Sequence, residues 1–256
     1  MMDTIALVCL FQQKILPPSD VGSNLQMLLR WIHFLAGITW IGLLYFFNLV
    51  NVPVMKALDA PTKGKVIPVL MPKALWWFRW GAVVTVLAGF IYWYLILRTE
   101  PPAPGIPGQY LWRTLGVWLA LVIVTWAIEF GLLRVPAVTK NGWVLGVVVL
   151  VLVGAMGGLL VHANTYEGAS NRALSIGVGG GIGMLMLLNV WGVIWPAQKR
   201  IIAWTAENAA KGTPVPPESA RLARRAFLAS RANAWLSVPM LFFMAAASHY
   251  PLFVGG

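Results

Sequence analysis

Six apolar stretches of membrane length alternate with shorter polar ones along the chain, at 29–50, 74–97, 111–133, 143–162, 173–195 and 234–254. A bilayer core takes about 20 apolar residues at about 1.5 Å of rise each, so every stretch is long enough to cross as a helix. The pattern predicts one all-α polytopic membrane bundle over residues 1–256, with about six transmembrane helices. Between the spans, 51–73 is broken by Pro53, Pro61, Pro68 and Pro72 and reads as a loop, and 98–109 as a proline-rich turn. The longest polar connection, 197–233, carries an amphipathic stretch from 218 to 231. Residues 1–24 read as a short interfacial segment. They have no basic n-region or small-residue cleavage site, so a removable signal peptide is not expected.

The few polar residues inside the spans need partners, because an unpaired polar side chain in hydrocarbon costs on the order of a few kcal/mol. His33 is the only strongly basic or ionisable interior group of the first span. Gly37 and Trp40 share its face, four and seven residues on. Gly37 clears space beside the imidazole for something flat and wide, and a porphyrin is the obvious candidate. Arg79 lies about a turn and a half inside the second span among Trp76, Trp77 and Trp80. It reads either as a snorkelling arginine or as a guanidinium that holds an anion, such as a haem propionate or an acidic substrate. The third span carries Glu129 near its far end. GxxxG at 154–158 and GVGGGIG at 177–183 sit mid-membrane without the GK[ST] of a phosphate loop. They read as close helix packing that also leaves room for a porphyrin edge.

Composition supports the membrane reading. Hydrophobic residues make up 59% of the chain, charged ones only 11%, and the mean hydropathy of +0.75 lies outside the range of soluble domains. The 19 Lys and Arg against 8 Asp and Glu give a net charge of +11. In a membrane chain such an excess marks cytoplasmic loops, and no nucleic-acid-binding motif accompanies it. Loops 51–73, 134–142 and 196–233 hold four, two and seven Lys or Arg and fall on one side of six spans. That side is expected to be cytoplasmic, with both termini outside.

Counted from the span edges at about 1.5 Å per residue, His33 and His249 both fall about 9 Å below the outer boundary, and His162 lies at the outer end of the fourth helix. The three histidines thus collect in the outer half of the membrane, each with a small residue one turn away. Each can hydrogen-bond a backbone or hydroxyl group instead of a metal. The flat-cofactor reading makes His33 and His249 axial ligands of a b-type haem, with His162 as a substitute or a propionate partner. Zinc and copper fit less well, since no carboxylate or thiolate lies at comparable depth. The single cysteine, Cys9, excludes an internal disulfide, a CxxCH haem attachment and a multi-cysteine cluster.

RWIHFLAGITWIGLLYFFNLVNVP at 30–53, WWFRWGAVVTVLAG at 76–89, NVWGVIWPAQKR at 189–200 and RANAWLSVPMLFFMAAASHYP at 231–251 together resemble the membrane domain of bacterial membrane-bound urate oxidases. That family joins a transmembrane urate hydroxylase to a C-terminal cytochrome c. The resemblance maps a first-helix histidine to His33 and a terminal Asn-His-Tyr-Pro motif to Ser248, His249, Tyr250 and Pro251. It also implies a multi-pass protein of the bacterial inner membrane. Two departures stand out. No CxxCH is present, which would leave the electron outlet missing or on another polypeptide, and RALSIGVGG at 172–180 lacks the histidine expected ahead of the small-residue run.

The expected function is urate or purine oxidation at a haem near the outer face, with electrons passed to a cytochrome c or other redox partner. The alternative is a non-catalytic, haem-bearing or structural subunit of a larger membrane electron-transfer complex. A membrane protoporphyrinogen oxidase is a third reading, and a transporter is disfavoured by the lack of a mid-membrane ionisable pair.

Overall fold

The computed structural model describes residues 16–100, 107–165 and 169–253, so most of the expected interfacial segment 1–24 lies outside the described residues. Among the described residues there is no strand. The helices are α1 (Val21–Tyr45), α2 (Val52–Ala57), α3 (Ala60–Thr99), α4 (Pro107–Leu132), α5 (Pro136–Thr139), α6 (Gly142–Asn164), α7 (Asn171–Asn189), α8 (Trp195–Lys211) and α9 (Glu218–His249). Local chemistry sets their starts. The Asp20 carboxylate accepts the Ser23 N–H at 2.7 Å, Asp59 accepts Thr62 at 2.8 Å, and the Ser170 hydroxyl accepts Ala173 at 3.0 Å. Each of these side chains satisfies an N–H that the helix itself leaves unpaired. Gly212 closes α8 at φ 70°, a left-handed conformation that glycine adopts without strain.

Among the described residues, five segments are long and apolar enough to cross a membrane: Val21–Ala57, Ala60–Thr99, Tyr110–Leu132, Gly142–Asn164 and Asn171–Lys211. Most of the sixth expected span, 234–249, lies in α9, which is 32 residues long but less apolar, since Asn233, Ser237 and Pro239 interrupt its apolar half. Asn233 and Ser237 are fully buried, so α9 turns its polar positions toward the bundle. The chain is an all-α, multi-pass membrane helix bundle.

Two stretches that read as loops are helical. The proline-broken 51–73 becomes α2 and the first turns of α3. Pro61 occupies the first turn of α3, where its missing N–H costs nothing, while Pro68 and Pro72 lie in the interior. Each interior proline gives up one ladder bond, a loss that membrane helices tolerate when neighbouring helices pack around it. Here the neighbour is α8, which forms within the polar connection, and a Cβ at Gly64 would lie 3.2 Å from the Ala209 methyl. Two basic segments thus pair as helices.

The organising helix is α7, which packs on α3, α4, α6 and α9. In the most apolar stretch of its span 78% of residues are buried, against 22% to 33% in the other four. The glycine run permits this. A Cβ at Gly179 would lie 3.3 Å from the Met240 carbonyl of α9, and one at Gly181 would lie 3.1 Å from Leu160 of α6. The indole N–H of Trp93 donates to the Ala173 carbonyl at 2.9 Å, and that of Trp118 to the Gly177 carbonyl at 2.8 Å. The GxxxG of α6 behaves differently from the packing expectation. Gly154 and Gly158 face outward with open space around them, and the neighbouring Gly157 makes the contact with Val178.

Candidate functional site

A cavity of about 460 Å³ opens between α1, α3, α4, α7 and α9. Its wall is mostly apolar and includes His33, Gly37 and Trp40 from α1. The half-buried His33 ring is held from α3, where its Nδ1 lies 2.8 Å from the Thr85 carbonyl oxygen. A carbonyl only accepts, so Nδ1 carries the proton, and in the neutral ring Nε2 keeps its lone pair. Gly89 makes the space for the ring: a Cβ there would sit 2.8 Å from Nδ1 and 2.9 Å from Cε1. Gly37 faces Thr85 across the helix contact, and Trp40 is fully buried with its indole N–H unpartnered.

Alternate glycines of the α7 run divide their tasks. Gly177, Gly179 and Gly181 meet neighbouring helices, whereas Gly180 and Gly183 line the cavity, as do the thioethers Met240 and Met244 of α9. The aromatic wall consists of Phe90, Trp93 and Trp118, with ring centroids 5.4 to 6.4 Å apart.

One end of the cavity is cationic. Arg30 lines it, and its guanidinium carbon lies 5.9 Å from the centre of the Tyr92 ring. Arg172, the second residue of α7, is outside the lining but lies 5.2 Å from the same ring centre. It donates through Nη2 to the Tyr92 hydroxyl at 2.8 Å and to the Gln26 side-chain amide oxygen at 3.2 Å.

The other sequence candidates fall outside this wall. His162 and His249 are both exposed, although they lie toward the same end of the bundle as His33. The Asn171 side chain at the start of α7 ties down the segment around His249. It donates to the Ala246 and Tyr250 carbonyls, each at 3.1 Å, and accepts from the Leu252 and Phe253 N–H groups at 2.9 and 3.1 Å. Ser248, the neighbour of His249, reaches the wall. Arg79 lies away from the cavity, its guanidinium 3.8 Å above the Trp195 ring, whereas Trp76, Trp77 and Trp80 are exposed. Among the described residues no three His, Cys, Asp or Glu side chains come together.

Thr85, Gly89, Tyr92, Arg30, Gln26 and Arg172 were not legible as site residues. Arg172 left the clearest signal, a charge at the head of an otherwise apolar small-residue run.

Fold and cavity define a multi-pass α-helical membrane protein with a histidine-bearing intramembrane pocket. The chain belongs to the urate oxidase N-terminal family, whose model matches residues 57–256, and its role is related to urate oxidation. The matched region contains Thr85, Gly89, Tyr92, Arg172 and the α7 and α9 walls, and His33 precedes it. No curated protein and no solved structure matches the chain.

Proposed function

We propose that the cavity holds a b-type haem on His33 and that the protein oxidises urate or a closely related purine there, delivering electrons to a cytochrome c or other redox partner. The observation that carries this reading is the His33 imidazole. Its Nδ1–H is committed to a backbone carbonyl on the wall of an apolar cavity, the arrangement that fixes the tautomer and orientation of metal-ligating histidines. The residues present fit a haem in three further respects. Gly180 and Gly183 offer a flat face, Trp40 offers an unpartnered N–H, and Met240 and Met244 are soft donors of a type that haem proteins use. His33 takes the axial role in this proposal. His249 and His162, outside the wall, take none.

When bound, the haem would supply a one-electron acceptor. The chain supplies the rest. Thr85 and Gly89 hold the imidazole in one orientation, and the aromatic and methionine walls exclude water.

The test is optical. Protein purified in nanodiscs after expression with adequate haem should show a b-type α band in its reduced-minus-oxidised spectrum. Anaerobic urate should reduce that haem. A spectrum with no b-type band would refute the cofactor. A haem that dithionite reduces but urate does not would favour the non-catalytic subunit instead.

A further inference from the structure

We propose that Arg30 and Tyr92, which line the cavity, together with Arg172, which lies outside the lining and is hydrogen-bonded to the Tyr92 hydroxyl, form an anion-recognising end that binds the negatively charged edge of a planar heterocycle, the urate monoanion. The inference rests on the purine-oxidation reading above and assigns the residues that would select the substrate.

Four observations converge. First, neither arginine has an ion-pair partner among the described residues, and both lie within 6 Å of one ring centre. A bound anion would supply these charges with a partner. Second, Arg172 bonds only to the neutral acceptors Tyr92 and Gln26, and its Nε is buried with no partner. A guanidinium with no anionic partner is suited to the adjacent oxygen and nitrogen acceptors on the edge of a purine oxoanion. Third, the wall beside it is aromatic: Phe90, Trp93 and Trp118 offer stacking faces that suit a flat ring. Fourth, the spacing links this end to the histidine. Arg30 precedes His33 by three residues on α1, and Tyr92 follows Gly89 by three on α3. The two pairs therefore share faces about one helical turn, or about 5 Å, apart. A ring held by the arginines lies next to whatever His33 holds.

The shared chemistry of two guanidiniums also suits a haem propionate or a lipid phosphate, so the experiment separates these ligands. Urate and the uncharged purine hypoxanthine would be titrated into the nanodisc-embedded protein at pH 7, following quenching of tryptophan fluorescence. Haem content and co-purified phospholipid would be measured on the same samples. Arg172→Gln and the exposed Arg30→Gln should each weaken urate binding about 10- to 100-fold, as expected for loss of a charge-assisted hydrogen bond. Arg172→Lys should fall between. Hypoxanthine binding, haem content and phospholipid should stay as in the wild type. Loss of haem in either Gln variant would identify a propionate clamp and overturn the proposal. A drop in bound anionic lipid with unchanged urate affinity would overturn it too. Wild-type protein that binds urate, with both Gln variants binding equally well, would overturn this inference alone. Wild-type protein that binds no urate would overturn the purine reading with it.

Discussion

Gly89 shows how much of the site depends on a missing atom. The His33 ring lies 2.8 Å from where a β-carbon at residue 89 would be, so Gly89→Ala must push the imidazole off the Thr85 carbonyl or push α1 from α3. Removing the orienting bond of a metal-ligating histidine costs about 10- to 100-fold in affinity. Gly89→Ala protein should accordingly retain its helical circular dichroism but show weaker haem binding by about that factor in a haem titration. Wild-type affinity in this variant would mean that the ring's position does not matter. His33 itself was legible because an imidazole in an apolar span demands a partner. Gly89 and Thr85 were not, since nothing in a sequence says which turn of a second helix will face that imidazole. Arg79 was legible only as a choice between two roles. The structure adds a partner, Trp195, the last residue of the expected fifth span.

At the scale of the helix, two spans continue through π-helical turns, Phe46–Asn51 after α1 and Val190–Ile194 after α7. Each carries or adjoins a buried asparagine, Asn48 or Asn189, and each is followed by a proline at the start of the next helix, Pro53 or Pro196. A wider turn takes up the proline without ending the helix. The asparagines lock the helices laterally. Asn48 donates to the Ser230 hydroxyl at 2.9 Å. Asn189 donates to Glu129 of α4 at 2.9 Å and to the Asn233 carbonyl oxygen of α9 at 3.0 Å, and Asn233 donates onward to the Met186 carbonyl at 2.9 Å. Asn189→Ala leaves two buried oxygens without their donor. It should destabilise the bundle by about 1–3 kcal/mol, measured as a lower midpoint of unfolding in mixed detergent. An unchanged midpoint would show that these bonds are replaced by others. The spans were legible because their length and apolarity are written locally. The helicity of 60–73 and 195–211 was not, because prolines and charges are local signals for a loop and the α3–α8 pairing that overrides them is not local.

For the whole molecule, the bundle has one end where α1 and α7 begin and α3, α6 and α9 finish. Arg172 reaches Gln26 and Tyr92 there, Ser170 donates to Glu100, and Asn171 fastens the turn after α9. The cationic end of the cavity lies on this side, and the basic residues of α8 lie on the other. If the basic bias orients the bundle, this end faces outward. In a variant with Cys9 replaced, a cysteine at Thr165 should react with an impermeant maleimide in whole cells, and one at Lys211 only after lysis. Labelling of Lys211 in intact cells would invert the bundle and move the proposed redox site to the cytoplasmic face.

The most direct measurement is the reduced-minus-oxidised spectrum of His33→Ala beside His249→Ala and His162→Ala, each in nanodiscs and each exposed to anaerobic urate. With His33 as the cavity's only histidine, His33→Ala should lose the b-type band and all urate-dependent reduction, while the bundle remains inserted because helix packing in lipid does not depend on one imidazole. The other two variants should keep band and reduction. A b-type band retained in His33→Ala, or lost in His249→Ala, would contradict the placement of the haem in this cavity.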